Sequence, residues 1–255
     1  GVLLGLLKEY VDDTVGSPTD VALFLKLPYL GLIPEVRGEM SRKERTLFTV
    51  SNSDSAVAEA IRSIRAMLEL NQGTGNFRKL MVSSAAAAEG KTATVVRLGV
   101  AYAQVGKRVL LIDADLRRPQ IHKVFDMDRK IGLTTGLLGE AHLDELPRRT
   151  PIEGLHVVAA GPQVLQPNEL LSSNRMKEVM DAYAERYDLV ILDTPPVGAV
   201  SDALVLSQVV DGVALVVRAK AHSRVLIRHT VDRLKQVNAN ILGLVLNAVR
   251  IEGSR

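Results

Sequence analysis

Three short stretches hold residues whose types and spacing suit phosphate chemistry. The first is Ala85-Ala86-Ala87-Ala88-Glu89-Gly90-Lys91-Thr92. Four residues separate Ala85 from Gly90-Lys91-Thr92, which is phosphate-loop spacing with alanine in place of the first glycine. In such a loop the backbone N–H groups from Ala87 to Ala93, at a helix N-terminus, face phosphate oxygens. Lys91 neutralises β- and γ-phosphate charge, and the Thr92 hydroxyl ligates Mg²⁺. Alanine is small enough for close backbone approach, at a cost of about 1 kcal/mol if Ala87 or Ala88 takes a positive φ. The plain alternative is an alanine-rich helix start with an incidental Gly90.

The second stretch is Val109 to Pro119, "VLLIDADLRRP", where Asp113 and Asp115 close an apolar run. Carboxylates at the end of a buried strand are costly unless they meet a cation, water or donors. A surface turn with capping aspartates is the alternative. Arg117 and Arg118 either serve phosphates or are solvated. The third stretch is Tyr187 to Pro196, "YDLVILDTPP". Asp193 before a rigid Thr-Pro-Pro turn suits a Mg²⁺ carboxylate and a γ-phosphate sensor, or simply a structural turn. Asn247, in "GLVLNAV", offers an amide to a base edge or caps a strand. The five histidines show no metal spacing. Each stretch alone has an ordinary explanation; the three in this order, each at a strand's carboxyl end, point to one site.

The elements that must position these residues follow from hydrophobic pattern. "KLMVSS", "RVLLIDAD", "GLHVVAAG", "YDLVILDTPP", "GVALVVRA" and "ILGLVLNAV" are continuous apolar runs, as strands buried on both faces should be. Helical stretches at 92–106, 172–187, 201–210 and 223–238 fall between them. The alternation predicts an α/β fold, a mainly parallel sheet with helices on both faces and ligands beyond the carboxyl ends of the strands. Residues 55–70 predict an amphipathic helix. Val57, Ile61, Ile64 and Leu68 form its apolar stripe, and Glu59, Arg62 and Arg65 lie on the remaining surface. Residues 1–54 read as an irregular connector wrapping the domain. Its first seven residues, Gly1 to Leu7, are apolar. They are either a start packed on the core or the cytoplasmic stub of a membrane helix.

Composition removes several classes. The chain has 255 residues, 47% of them hydrophobic, enough for a sizeable core. With no cysteine, disulfides and thiolate metal sites are excluded. A net charge of +3 without a basic run interleaved with aromatics argues against a nucleic-acid partner. There is no Gly-x-Ser-x-Gly elbow, and the matches to a dinucleotide fingerprint are poor.

Together, "SSAAAAEGKTATV", "VLLIDADLRRP" and "YDLVILDTPP" resemble the Walker A, Walker A′ and Walker B motifs of bacterial tyrosine kinases, the cytoplasmic domains of polysaccharide copolymerases. The wider group is the deviant-Walker P-loop ATPases. Glu59-x-x-Arg62-x-x-Arg65 is similar to the motif through which that family assembles rings. The segment from Glu9 to Pro34 is similar to its link from the second transmembrane helix. The resemblance implies a P-loop fold, MgATP or MgADP as ligand, and transfer of the γ-phosphoryl group to tyrosine. Thr92, Asp113 and Asp193 would hold Mg²⁺. Asp113, assisted by Asp115, would act on the attacking hydroxyl or the metal, and Asn247 matches an adenine-side asparagine. It further implies a ring-like homo-oligomer and a tyrosine-rich tail of a neighbouring subunit or another protein as acceptor. Gly1 to Leu7 then reads as the end of a transmembrane helix, with 1–54 as juxtamembrane connector and 55–255 as kinase domain on the cytoplasmic face of the bacterial inner membrane. The implied role is control of capsular or exopolysaccharide polymerisation and export. Two other functions stay open: an ATP-gated assembly module with weak or no kinase activity, and a partition-type ATPase. The latter group carries a second lysine early in its phosphate loop, where this chain has Ala85 and Ala86. Two departures stand out. The family loop usually reads Pro-Gly at Ala87-Ala88, and no tyrosine follows Tyr187.

Overall fold

The computed structural model describes residues 13–71 and 77–250. The apolar opening from Gly1 to Leu7 lies outside them. Eight strands form one sheet: β1 (Tyr29–Pro34), β2 (Lys79–Ser84), β3 (Val109–Asp113), β4 (Arg148–Arg149), β5 (Leu155–Val158), β6 (Leu189–Asp193), β7 (Gly212–Arg218) and β8 (Ile241–Val249). Their spatial order is β1-β8-β7-β2-β6-β3-β5-β4. Every pairing is parallel except that of β4 with β5. All six predicted strands are present.

Five helices matter for the site: α1 (Ala56–Leu70), α2 (Lys91–Ala103), α3 (Asn174–Arg186), α4 (Asp202–Leu206) and α5 (Arg224–Gln236). Successive strand residues point to opposite faces, so each strand feeds two cores. Leu80 and Val82 pack with α1 and α2, whereas Met81 between them packs with α3, α4 and α5. Ser55 starts α1, its hydroxyl accepting from the Ala58 N–H. The predicted stripe Val57, Ile61, Ile64 and Leu68 is buried, each side chain contributing about 1.5–3 kcal/mol. No helix among the described residues is long and apolar enough to cross a membrane.

Two strands escape the sequence reading. Tyr29–Pro34, expected to be irregular connector, is instead an edge strand paired with β8. Gly31 is obligatory there. Its φ is +145°, and a Cβ would lie 2.7 Å from Ile64 Cγ1 on α1. The other, β4, has two residues, too few to carry a pattern.

Candidate active site

The alanine loop does turn β2 into α2. Gly90, at φ 92°, caps the helix, and Lys91 is its first residue. Ala88 sits at φ 63°, the position where glycine would be free of strain. Glycine at 88 would relieve about 1 kcal/mol in the folded state but add comparable freedom to the unfolded chain. Ala88→Gly is therefore expected to leave melting temperature nearly unchanged and MgADP affinity equal or tighter. Calorimetric titration checks this, and loss of binding would show that the alanine has its own purpose.

Glu89 and Asn247 shape this loop from behind. The Glu89 side chain is fully buried and turned into the protein, where it accepts from the Ala86 N–H at 2.8 Å. Burial raises its pKa, against the pull of that hydrogen bond and of His222. Asn247 Nδ2 donates to the Glu89 carbonyl at 2.8 Å. A Cβ on Gly90 would lie 2.0 Å from that same Nδ2. A cleft of about 370 Å³ opens beside the loop, lined among others by Gly90, Lys91, Thr92, Ala93, Arg218 and Asn247.

The two strand-end aspartates meet. Asp113 and Asp193 are register partners on the neighbouring strands β3 and β6, and both are buried. Thr92 Oγ1 donates to Asp193 Oδ2 at 2.5 Å. The N–H groups of Gln120 and Ile121 donate to Asp113 Oδ2, both at 2.9 Å. The other oxygen of each carboxylate, Oδ1, is buried with no hydrogen-bond partner. Burial pushes Asp193 up to about 6, while the Thr92 hydroxyl and the Lys91 charge pull the other way. Burial foremost, and Asp193 next, drive Asp113 well above the ordinary carboxylate range. Two unsatisfied acidic oxygens side by side favour a shared proton or a hard divalent cation, so this donor set fits Mg²⁺. Asp115 is half-buried and accepts from the Arg118 N–H at 3.0 Å. The segment after β6 is stitched to β2: Thr194 Oγ1 donates to the Val82 carbonyl and Ser83 Oγ to the Pro195 carbonyl.

Arg117 is solvent-exposed but not unpaired. It forms a two-pronged ion pair with Asp202, Nε to Oδ2 at 2.7 Å and Nη2 to Oδ1 at 3.1 Å. Asp202 was invisible in the sequence because "SDALVL" reads as an ordinary helix start, 85 residues from its partner.

The helix residues predicted to face a neighbour are engaged within the chain. Arg62 bonds Glu59 through Nε at 2.9 Å and the Ser53 carbonyl through Nη1 at 2.9 Å. The expectation that Arg65 lies on the remaining, outward surface of the helix needs correcting. Its Nη1 donates to the Ala101 carbonyl on α2 at 2.8 Å, leaving the side chain 19% exposed. Among the described tyrosines, Tyr102 and Tyr183 are buried and Tyr29 and Tyr187 half-buried.

The chain is similar to known proteins over most of its length. The AAA domain family model matches residues 78–242. Tyrosine-protein kinase ptk of Acinetobacter johnsonii is 34% identical over 258 residues, covering 98% of this chain and 35% of that protein. This chain thus spans about a third of that relative's length. Tyrosine-protein kinase YwqD of Bacillus subtilis is 35% identical over 211 residues, covering 83% of this chain and 89% of that protein. The kinase domain of Escherichia coli tyrosine kinase ETK superposes with a TM-score of 0.86 at 31% identity, covering 94% of this chain and 97% of that one. With the phosphate loop, the paired strand-end aspartates and these likenesses on nearly the whole chain, the protein belongs to the bacterial tyrosine kinase family of the P-loop group.

Proposed function

We propose that this domain transfers the γ-phosphoryl group of MgATP to a tyrosine hydroxyl. The observation that carries the reading is the Asp113–Asp193 pair, each with an unpartnered buried oxygen, next to Thr92 and Lys91. Lys91 and the backbone from Ala87 to Ala93 would hold the phosphates. Thr92, Asp113 and Asp193 would hold Mg²⁺, which supplies charge neutralisation along the transferring group. Asp113 would accept the proton of the incoming hydroxyl, with Asp115 supporting it from the loop beyond β3. Asn247 acts as a buttress of the loop on the side that would take the nucleotide's base.

The acceptor on this reading is a tyrosine-rich tail, of a neighbouring subunit or of another protein, in a ring-like homo-oligomer. It would work beside the inner membrane, in the control of capsular or exopolysaccharide polymerisation and export. The support is the motif set and family membership. Glu59 and Arg62 remain accessible for inter-subunit pairing, their side chains 67% and 39% exposed. The experiment incubates the domain with labelled ATP and Mg²⁺, with and without a supplied tyrosine-rich peptide. Because no described tyrosine is exposed, weak autophosphorylation and strong labelling of the peptide are expected. Free phosphate with no phosphotyrosine would favour an ATP-gated assembly module instead. Sedimentation with MgADP, for the parent and a Glu59, Arg62, Arg65→Ala triple variant, tests the ring. Equal assembly by both would remove α1 from the interface.

A further inference from the structure

We infer that Arg117, Asp202 and Asn168 form a positioning device that fixes the loop carrying Asp115 in the orientation that phosphoryl transfer requires. The inference rests on the transfer reading above. The loop from Ala114 to Gln120 is anchored at both ends. Ala114 N–H donates to the Asp193 carbonyl at 2.8 Å, and the Gln120 N–H donates to Asp113 Oδ2 at 2.9 Å. Those bonds hold the base of the loop, not its crown. Leu116 is packed in the core and the Gln120 side chain meets Arg42 at the far end; between them Arg117 supplies the crown's charged tie to another element, through its fork onto Asp202.

The acceptor end of that fork is unusually fixed. The Asp202 side chain has no solvent exposure, whereas that of Arg117 is 42% exposed. Asp202 opens α4, nine residues after Asp193 on the segment stitched to β2. It also accepts from Asn168 Nδ2 at 3.2 Å, and the same amide reaches Ser201 Oγ at 2.9 Å. Asn168 lies on the helical turn Pro167–Leu171, beyond β5. Three segments leaving three adjacent strands, β5, β3 and β6, therefore converge on one carboxylate.

The chemistry favours positioning over stability. An ion pair with a buried partner gains little net stability, because desolvation offsets the Coulomb attraction. What a guanidinium fork adds is a fixed plane and direction, which an ammonium cannot supply. Arg117 stands two residues from Asp115, so its direction sets where Asp115 sits relative to Asp113.

Two variants separate the roles. Arg117→Lys keeps the charge and loses the fork. The double variant Arg117→Gln, Asp202→Asn removes both charges and keeps a hydrogen-bonded pair, so no buried charge is stranded. For each, four quantities are measured: melting temperature, MgADP affinity, kcat and KM for transfer from MgATP to a supplied tyrosine-rich peptide, and amide hydrogen exchange at 114–120. We expect kcat to fall roughly 10- to 100-fold in both, as a displacement near 1 Å does. MgADP affinity should stay within about threefold, because the phosphate loop is untouched. Exchange at 114–120 should quicken while that at 86–92 stays unchanged. The double variant should recover melting temperature without recovering kcat. If kcat tracks melting temperature across the set, or returns in the double variant, the pair is only a stabilising contact and the inference fails. Unchanged exchange at 114–120 also overturns it. A parent that labels no tyrosine defeats the transfer reading by itself, and the exchange measurement still decides whether the fork holds the loop.

Discussion

Replacing Lys91 by Met should cut phosphoryl transfer to a supplied tyrosine peptide by roughly 10²-fold or more, the usual loss when a preorganised charge on a developing anion is removed. Lys91 is 9% exposed at the first position of α2, beside Thr92 and within electrostatic reach of Asp193. A buried ammonium with no carboxylate hydrogen-bonded to it is costly unless an anion arrives, and the helix N-terminus beside it favours phosphate. Methionine keeps the length and apolar stem of the side chain, so packing should survive. MgADP affinity should fall at least about tenfold, since a charge-assisted contact to phosphate is lost. Calorimetric titration and peptide labelling of parent and variant check both numbers. Unchanged affinity and turnover, with circular dichroism showing both proteins folded, would remove Lys91 and the loop from the site.

Neutralising either member of the aspartate pair should move activity and stability in opposite directions. Asp113→Asn or Asp193→Asn removes a donor from the proposed metal set, so transfer should drop by about 10²-fold or more. The metal-free domain, in contrast, should become more stable near neutral pH. The sign follows from the raised pKa values. A carboxyl whose folded pKa lies above its unfolded value contributes stability that is complete below the unfolded value and is lost as pH rises through the folded one. For Asp193 that window runs from near 3.8 up to about 6, and for Asp113 the shift has the same sign. A buried carboxyl held at about 6 rather than 3.8 amounts to about 1–3 kcal/mol, recovered at neutral pH by the amide. Thermal melts between pH 5 and 8, with and without Mg²⁺, test it. The parent should lose stability with rising pH and regain it with Mg²⁺, while the Asp193→Asn curve should be flatter. A parent insensitive to both pH and Mg²⁺ would show that the two carboxylates neither share a proton nor hold a metal.

The central elements were legible because their pattern is local. Strands β2, β3 and β6 are unbroken apolar runs, and the α1 stripe repeats at helical spacing. The positions of Lys91, Thr92, Asp113 and Asp193 followed from those elements. What remained hidden depends on contacts made across long stretches of chain. Strand β1, with a glycine inside it, Pro28 before it and Pro34 as its last residue, pairs among the described residues with a strand more than 200 residues on. The Arg117–Asp202 fork joins segments that carry no mark of each other. Arg65 was placed on the outside by helical spacing alone, but a long guanidinium stem reaches around a helix to a carbonyl that spacing cannot foresee.

Asn247 braces the Glu89 carbonyl from 158 residues further along the chain. A ribosome adding about 5–20 residues per second therefore exposes the alanine loop some 8–30 s before the residue that braces it is made. During that interval β8 is missing, and with it the wall against which Gly90 is packed and the strand that β1 pairs with among the described residues. A nascent or stalled chain would present the Gly-Lys-Thr sequence without a finished cradle. The amide that supports the Glu89 carbonyl joins the loop only once β8 has been made.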